Sequence, residues 1–528
     1  MIFDCGCEFH QTEDGGWTWD DENINFQCSK VWRLICSGNT SGVFQLDAML
    51  GQHWSRQVKP ENINEWSDLI AIIRPGMLEA IVDGKSQTQR YVDRKHGKES
   101  VAFDHPKLEE VLGPTQATMP FQEQAMRIAT DLAGFTMAES DTYIRKGIGK
   151  KIPEVIAKAK EMFIEGCLKN NISKELAERI FTSIEAAQRY SFNRSHSLSY
   201  ALDGYIYSAY IKAHFPLEFH CTELDFAKGK QPKTDLEAVC DIIEDALKMD
   251  IKVMKPDLRY LNERFSIVDG TILYGLTKIK HLGPDKIRAL PELKDATYIE
   301  LIAALDKINK TSAENLIKSG SCDWIKAPRS KMLADYAAYS KLNVQQKEVC
   351  VEESDVLKGI QKIIEIGPST KSKLCYNKVS LKKLKELENL LVNPIRQPKD
   401  TPQKIIDWEK ETLGRSFTFD EALTRYWDGN YKELIDVKHH SVPLKDQFLL
   451  SAVLRDFKEI YTKKKQEPMA RITVYSLDWV SDAVIFPRAW ELCKHTIESN
   501  VGQPLLFKAR MNFYNEQWGL VIEEIEDV

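Results

Sequence analysis

Tyr190, Asn193, Arg194, Ser195 and His196 crowd into one short stretch, Arg189-Tyr-Ser-Phe-Asn-Arg-Ser-His-Ser-Leu-Ser-Tyr-Ala-Leu-Asp-Gly-Tyr205. A guanidinium is a bidentate partner for phosphate, and a Tyr or His ring is a stacking platform for a flat base. A loop of this make-up has the chemistry to hold a polyanion that carries a base. The same residues admit a plainer role, with Tyr190, Phe192 and Tyr200 in a core and Arg194 as a solvated charge.

A second cationic stretch runs from Glu139 to Glu154. Arg145, Lys146, Lys150 and Lys151 place four cations within seven residues, punctuated by Gly147 and Gly149. Glycine lets backbone come close to a ligand and the cations neutralise phosphate. A frayed, solvated helix end is the alternative. Arg74 stands before Pro75-Gly76 at a helix end, where an Arg projects to a ligand or caps carbonyls. Gly38 and Gly42 flank a turn, but no Gly-Lys-Ser/Thr follows, so this is not a Walker-type loop.

Residues 1–30 hold Cys5, Cys7, His10 and Cys28. Thiolate and imidazole suit zinc, which makes these four a candidate metal set. The spacing is not that of a standard finger and no second Cys-x-x-Cys follows. Small buried thiols or an interface segment are the favoured account of them.

The elements that must position these residues are mostly helical. Apolar periodicity predicts helices over 62–73, 121–133, 153–166 and 173–188, the last capped by Ser173, and an apolar helix from Tyr200 to Phe215 stopped by Pro216. The turn at Gly38 to Gly42 is expected to lead into a short strand and then a helix. A break at Lys228–Pro232 precedes a helix over 235–249.

From Phe265 to Tyr274 the pattern is a β-hairpin turning at Asp269-Gly270. Leu276 to Ile287 has the form of helix, glycine turn, helix, in which turn amides and a helix N-terminus hold a backbone phosphate without reading bases. Lys278, Lys280, Gly283 and Lys286 are its candidate DNA contacts, and Ala313 to Ser321 is a second copy. Residues 326–440 read as helical and charged, with Lys371 to Lys385 as a solvated face and Ile395 to Pro402 as a linker. After residue 447, five short strands and one helix fit a small Greek-key barrel of the OB type. Lys463, Lys464 and Lys465 form its basic hairpin tip, where such barrels touch single strands.

The length of 528 residues, 43% apolar and 28% charged, suits several domains of ordinary globular composition. A net charge of −6 excludes a uniformly cationic coat but not local basic patches. No apolar run approaches the ~20 residues of a membrane helix, and no basic leader precedes an apolar core. Free thiols in a reducing cytoplasm are the expectation for the 11 scattered cysteines.

Taken in order, these segments resemble the C-family bacterial and phage replicative DNA polymerases (the DNA polymerase III alpha subunit family). The stretches that carry the resemblance are Gly-Asn-Thr-Ser-Gly-Val-Phe-Gln-Leu (38–46), Ile-Arg-Pro-Gly (73–76), Asp-Arg-Lys-His-Gly (93–97) and Phe-Gln-Glu-Gln-Ala-Met-Arg-Ile-Ala (121–129). Further on come Arg-Lys-Gly-Ile-Gly-Lys-Lys-Ile-Pro-Glu (145–154), Tyr-Ser-Phe-Asn-Arg-Ser-His-Ser-Leu-Ser-Tyr-Ala (190–201), Leu-Tyr-Gly-Leu-Thr-Lys-Ile-Lys-His-Leu-Gly (273–283) and Trp-Glu-Lys-Glu-Thr-Leu-Gly (408–414).

The resemblance implies a multidomain, mainly α chain with a C-terminal all-β OB-type barrel. Its parts are a Cys-rich lead segment (1–37), fingers (38–255), a β-hairpin with tandem helix-hairpin-helix (256–330), a helical linker region (331–445) and the OB fold (446–528). By family similarity, Arg145, Lys146, Lys150 and Lys151 contact the triphosphate of an incoming dNTP. Tyr190, Asn193, Arg194 and His196 surround the nucleotide, with Arg74 and Gln122 beside them.

The chain departs from the family in its acidic residues. The family's palm carboxylates, an Asp-x-Asp and a third Asp, lie upstream of the Gly-x-Thr-x-Gly-Val-Phe-Gln stretch. Here Asp20, Asp21 and Glu22 are contiguous, and neighbouring strand side chains point to opposite faces, a poor two-metal clamp. The reading is therefore half of a split, phage-type polymerase, inactive alone in the host cytoplasm. Its partners are primer-template DNA, dNTP and a palm- and PHP-bearing chain that ligates Mg2+. A sliding clamp is a further partner of the family, though no clamp-binding peptide is evident before the barrel. A non-enzymatic nucleic-acid-binding protein descended from such a polymerase is the alternative.

Overall fold

Short polar side chains start the helices that position the site. Asn62 accepts the Glu65 amide to begin α1 (Ile63–Ile72), and α2 (Gln122–Ala133) ends at Gly134 in the left-handed conformation. Pro153 opens α3 (Pro153–Lys169), and Ser173 caps α4 (Lys174–Gln188) by accepting the Leu176 amide. Asn193 caps α5 (Arg194–Gly204) by accepting the His196 amide. That cap makes α5 begin at Arg194, earlier than the apolar pattern from Tyr200 indicates. α5 continues through a π-helical turn, Tyr205–Ala209, into Tyr210–His214.

The computed structural model describes residues 3–13, 17–18, 24–150, 152–369, 371–393, 399–419, 432–433, 446–462, 465–477, 479–514 and 517–526. The chain divides into Met1–Pro216 and Leu217–Val528. In the first unit, α2, α3 and α4 enclose a core that includes Ile128, Leu132, Phe163, Phe181 and Ile184. The strand expected after Gly38 is absent; residues 38–47 form successive turns instead. Gly38, Gly42 and Gln45 all have positive φ, and Thr40 Oγ1 closes the loop on the Leu46 carbonyl at 2.8 Å.

In the second unit, Ser266–Val268 and Thr271–Leu273 form the expected hairpin. Asp269 and Gly270 both have positive φ, as a two-residue turn of this kind requires. Leu276–Lys278 is one 3-10 turn rather than the full helix expected. His281 turns the chain with a positive φ, and α6 (Pro284–Arg288) follows. α7 (Tyr298–Leu305), α8 (Lys310–Lys318) and α9 (Arg329–Tyr339) continue the array, with Gly320 in the turn between α8 and α9. α10 (Lys378–Val392) buries Leu384, Leu387 and Leu391, while Lys382, Lys383 and Lys385 are exposed. α11 (Pro402–Leu413) comes next. Part of the linker expected at 395–402 lies outside the described residues.

The C-terminal barrel is built from β1 (Phe448–Tyr461), β2 (Pro468–Tyr475), β3 (Val480–Ile485), β4 (Pro504–Tyr514) and β5 (Gln517–Glu526). β1 pairs with both β2 and β4, and β3 pairs parallel with β5, so the order β1–β2–β3–β5–β4 closes on itself. α12 (Pro487–Ser499) lies between β3 and β4. This closed Greek-key connectivity is of the OB type. Alternate residues, among them Leu450, Ala452 and Leu454, point into a core shared with Trp490 of α12. The molecule is thus mainly α with a C-terminal β-barrel. Among the described residues, no helix is long and apolar enough to cross a membrane.

Candidate nucleotide-binding site

One helix, α2, carries both cationic stretches. At its start, the Gln122 amide donates to the Phe192 carbonyl at 2.9 Å, and the Phe192 amide donates to the Pro120 carbonyl at 2.7 Å. The Gln122 side chain reaches the Ser191 carbonyl at 3.4 Å. The next residue, Glu123, accepts Asn193 Nδ2 at 2.8 Å and the Arg194 amide at 3.0 Å. A carboxylate thus sits at the N-terminus of α5, where amides and helix dipole favour negative charge. Further along α2, the Met126 carbonyl accepts Ser140 Oγ at 3.3 Å. This anchors the π-helical segment Ser140–Ile148, which bears Arg145 and Lys146.

Asn193, Arg194 and His196 are exposed, whereas Tyr190 is half-buried. The Arg194 guanidinium lies 5.8 Å from the Phe121 ring. The His196 ring stands edge-on to Tyr200 at 4.0 Å and to Phe192 at 5.3 Å. Arg74 comes to the same aromatic group, its guanidinium 3.9 Å over Phe192. Burial lowers the affinity of Arg74 for its proton, and its Nε has no hydrogen-bond partner. A cation left short of acceptors calls for an anion.

Tyr190 packs against Gly76, where an added Cβ would lie 2.3 Å from the Tyr190 Cβ. This close approach explains why glycine follows Pro75. Burial pushes the Tyr190 hydroxyl up to about 12. Of the expected nucleotide contacts, Tyr190 and Gln122 therefore shape and hold the loop, while Asn193, Arg194 and His196 face solvent.

Asp141 gathers the other cations. It pairs with Arg145 at 2.5 Å and Lys146 at 2.6 Å. Hydrogen bonds from Lys146 and Arg145 hold its carboxyl below the ordinary value. Lys150 is exposed, and Lys151 lies outside the described residues. The carboxylates Glu123 and Asp141 were missed by sequence reasoning. Asp141 stands four residues before Arg145 on one helical face, a signal that was available.

Behind this face, the Gly38–Leu46 turns brace α5 and its continuation. The Phe44 amide donates to Ser208 Oγ at 3.2 Å, Lys212 Nζ donates to the Ser41 carbonyl at 2.7 Å, and the Phe44 ring meets Tyr200 at 5.0 Å. Ser197 Oγ bonds the Ser67 carbonyl of α1 at 2.5 Å. Also on α1, Asp68 is buried and accepts the Tyr91 hydroxyl at 2.9 Å. Burial pushes its carboxyl up to about 7.

In the second unit the expected DNA contacts divide. Lys280 and Gly283 are exposed, Lys286 is half-buried, and an added Cβ at Gly283 would meet nothing within 4 Å. Lys278 turns inward, donating to the Ala227 carbonyl at 3.2 Å, and burial lowers its ammonium below the ordinary value. Lys465 is exposed and 3.9 Å from Glu467, while Lys463 and Lys464 lie outside the described residues.

The metal candidate changes membership. Cys5, Cys7, Cys28 and His214 bring one ligand atom each to within 4.8 Å of all the others. His10 does not join them. It is exposed on the short strand His10–Gln11, which pairs with Trp17–Thr18. Proximity in sequence favoured His10; the chain supplies its imidazole from the far end of the α5 continuation. No other cluster of three or more ligands is found among the described residues. Thiols and imidazole do not suit Mg2+, which prefers oxygen ligands, and Asp20, Asp21 and Glu22 lie outside the described residues. The Cys5, Cys7, Cys28 and His214 cluster therefore does not fit Mg2+.

Residues 7–171 match the family described as bacterial DNA polymerase III alpha subunit finger domain, and residues 250–332 match a helix-hairpin-helix motif. Among curated relatives, the DNA polymerase III subunit alpha of Aquifex aeolicus is 34% identical over 322 residues, covering 59% of this chain and 26% of that protein. The protein of the same name from Haemophilus influenzae is 31% identical over 399 residues, 72% of this chain and 31% of the relative. The one from Bacillus subtilis is 27% identical over 481 residues, 89% of this chain and 39% of the relative. The chain thus spans about a third of the length of these relatives.

Proposed function

From the relationship of this chain to the finger and helix-hairpin-helix regions of DNA polymerase III alpha subunits, we propose that it binds an incoming dNTP and primer-template DNA within a split replicative polymerase. Arg145, Lys146, Lys150 and Lys151 contact the triphosphate. Arg74, Arg194, Asn193 and His196 face the nucleotide, and Gln122 and Tyr190 hold the loop that presents them. The helix-hairpin-helix residues Lys280, Gly283 and Lys286 and the barrel tip at Lys463–Lys465 hold the DNA backbone. A palm on a separate polypeptide supplies the carboxylates that ligate Mg2+.

The observation that carries this reading is the mounting of both cationic stretches on α2. Phosphoryl transfer rests largely on positioning and charge stabilisation, so phosphate and nucleoside contacts must be rigid with respect to each other. Glu123 holds the α5 N-terminus, and Asp141 neutralises Arg145 and Lys146 while no phosphate is present.

The test is copurification with a palm-bearing chain followed by primer extension in Mg2+. The chain alone is expected to extend nothing, the pair to extend, and the pair with Arg145→Ala and Lys146→Ala to lose extension at limiting dNTP. If the pair fails to extend, the split arrangement is wrong. If the double variant extends normally, the phosphate role is wrong. Salt-sensitive DNA binding together with indifference to Arg194→Ala and His196→Ala would favour the non-enzymatic reading.

A further inference from the structure

The geometry points to a structural zinc site formed by Cys5, Cys7, Cys28 and His214, which fastens residues 3–13 and 24–28 to the C-terminal end of the helix that begins at Arg194. The inference does not depend on the chain being part of a polymerase.

The distances suit one tetrahedral ion. Bond lengths of about 2.3 Å for Zn–S and about 2.0 Å for Zn–N put neighbouring sulfur and nitrogen ligands about 3.6 Å apart. Cys5 Sγ and Cys28 Sγ lie 3.2 and 3.7 Å from His214 Nε2, on either side of that value. Cys7 and Cys28 are 1% exposed and His214 is 5% exposed, while Cys5 is half-buried, so three of the four ligands are shielded from water.

The imidazole is set for coordination. His214 Nδ1 is 2.8 Å from the Tyr210 carbonyl, which can only accept, so Nδ1 carries the proton and Nε2 offers its lone pair to the thiols. A backbone acceptor on the far ring nitrogen is the usual way to orient a zinc-binding histidine. Tyr210 also hydrogen-bonds the Cys7 thiol through its side chain. Phe3, Phe9 and Tyr210 pack around the His214 ring at 4.9, 5.3 and 4.6 Å.

The backbone between Cys5 and Cys7 is a tight knuckle. The Gly6 amide donates to the Phe3 carbonyl at 2.8 Å and the Phe3 amide to the Cys7 carbonyl at 3.0 Å. Gly6 has φ +78°, a conformation that a side chain disfavours. This turn brings both thiols to one side. Three thiolates with Zn2+ leave one net negative charge, and the Lys30 ammonium stands 5.3 Å over the Phe3 ring that packs against His214. Asn25 Nδ2 donates to the Cys5 carbonyl at 3.2 Å, and the Tyr205 hydroxyl donates to the Asn25 carbonyl at 2.7 Å.

Four protein ligands close the coordination shell, which marks a structural rather than a catalytic ion. At a rise of ~1.5 Å per residue, the helical path from Arg194 to His214 places the ion about 30 Å from the nucleotide-facing loop. The ion acts on that face only through the helix it anchors.

The full-length chain, expressed with zinc and purified without chelator, is expected to hold one zinc per chain by elemental analysis. The Co2+-substituted chain should show thiolate-to-metal charge transfer and the intense visible bands of a tetrahedral site. His214→Ala and Cys7→Ser should lose the metal, whereas His10→Ala should keep it. Clearly substoichiometric zinc together with a Co2+ spectrum lacking thiolate bands would overturn the site. Loss of metal in His10→Ala with retention in His214→Ala would overturn the ligand set. Because a ligand variant can fail to fold, thiol alkylation of the intact chain supplies a second readout: Cys5, Cys7 and Cys28 should be protected until zinc is chelated. Alkylation unaffected by chelator would also sink the proposal.

Discussion

Two ion clusters in this chain use the same chemistry to opposite ends. In the first unit, Asp141 holds Arg145 and Lys146 at the surface, with side chains 30%, 39% and 54% exposed. In the second, Glu409 of α11 and Asp323 hold Arg329 of α9, with Arg329 3% and Glu409 0% exposed. The inner cluster is saturated. Arg329 also donates to the Lys318 carbonyl at 2.9 Å, and the second oxygen of Glu409 accepts the Phe417 and Thr418 amides at 2.6 and 2.9 Å. Both oxygens of Glu409 are thus taken up by donors of the fold itself. The outer cluster consists of cations on a helix end with one carboxylate shared between them, which a phosphate can displace. The difference separates charges that build the fold from charges left at the surface, where the proposed phosphate would meet them.

The sharpest test of the inner cluster is Glu409→Ala. Removing one partner of a buried pair strands the other charge and costs about 3–5 kcal/mol. The variant should lower the denaturant midpoint of the second unit by a corresponding amount, and Asp323→Ala should do less, because Asp323 is 24% exposed. A loss under about 1 kcal/mol would mean that water reaches Arg329 and that the contrast with the outer cluster is false.

How much of this was legible in the chain depends on how local each feature is. Helix spans such as 122–133 and the Ser173 cap follow from periodicity and a single polar residue. The barrel strands fall where alternation and turn residues put them, and Asp269-Gly270 marks its hairpin. The family stretch Trp408–Gly414 was visible as a motif, but the role of Glu409 in it was not, because its partner Arg329 is 80 residues away. The same holds for His214, which meets Cys28 across 186 residues; nothing in the spacing of Cys5, Cys7 and Cys28 points to it. The strand expected after Gly38 failed because several residues there take positive φ, which apolar content does not reveal.

Asp68 lies between the two extremes, a buried acid beneath an exposed site. Burial raises its carboxyl to about 7, while Tyr91 donates to it and the charges of Arg194 and Lys95 oppose the rise. A folded value above the unfolded value of 3.8 means that the folded state holds the proton more tightly. Stability contributed by this group is therefore full below pH ~4, falls as the pH rises toward 7, and is level above that. At about 1.4 kcal/mol per pH unit, the fall is on the order of a few kcal/mol. Asp68→Asn keeps an acceptor for Tyr91 and should flatten that part of the thermal-melting profile, with a higher midpoint at pH 8 than the parent. Arg194→Ala removes an opposing charge and should move the fall to higher pH. Should both variants track the parent across pH 4–8, Asp68 is not the buried acid beneath this face.

Asp141→Asn should have the smallest effect on the fold and the most informative one on the site. The carboxylate is half-buried at the surface, so its loss should leave the unfolding midpoint close to where it was. Its neighbours should respond more. With Asp141 replaced by a neutral amide, Arg145 and Lys146 lose the negative charge they share, and a triphosphate no longer competes with a carboxylate for them. Nucleotide affinity of the full chain, measured by titration with a fluorescent dNTP, should rise severalfold at low salt and converge on the parent value at high salt, where the added attraction is screened. Asp323→Asn, the matching change in the second unit, should leave nucleotide binding unchanged and lower stability. If Asp141→Asn weakens binding instead, the carboxylate is positioning the cations rather than competing for them. The surface cluster would then be as fixed in its geometry as the buried one, and exposure alone would not separate binding charge from structural charge.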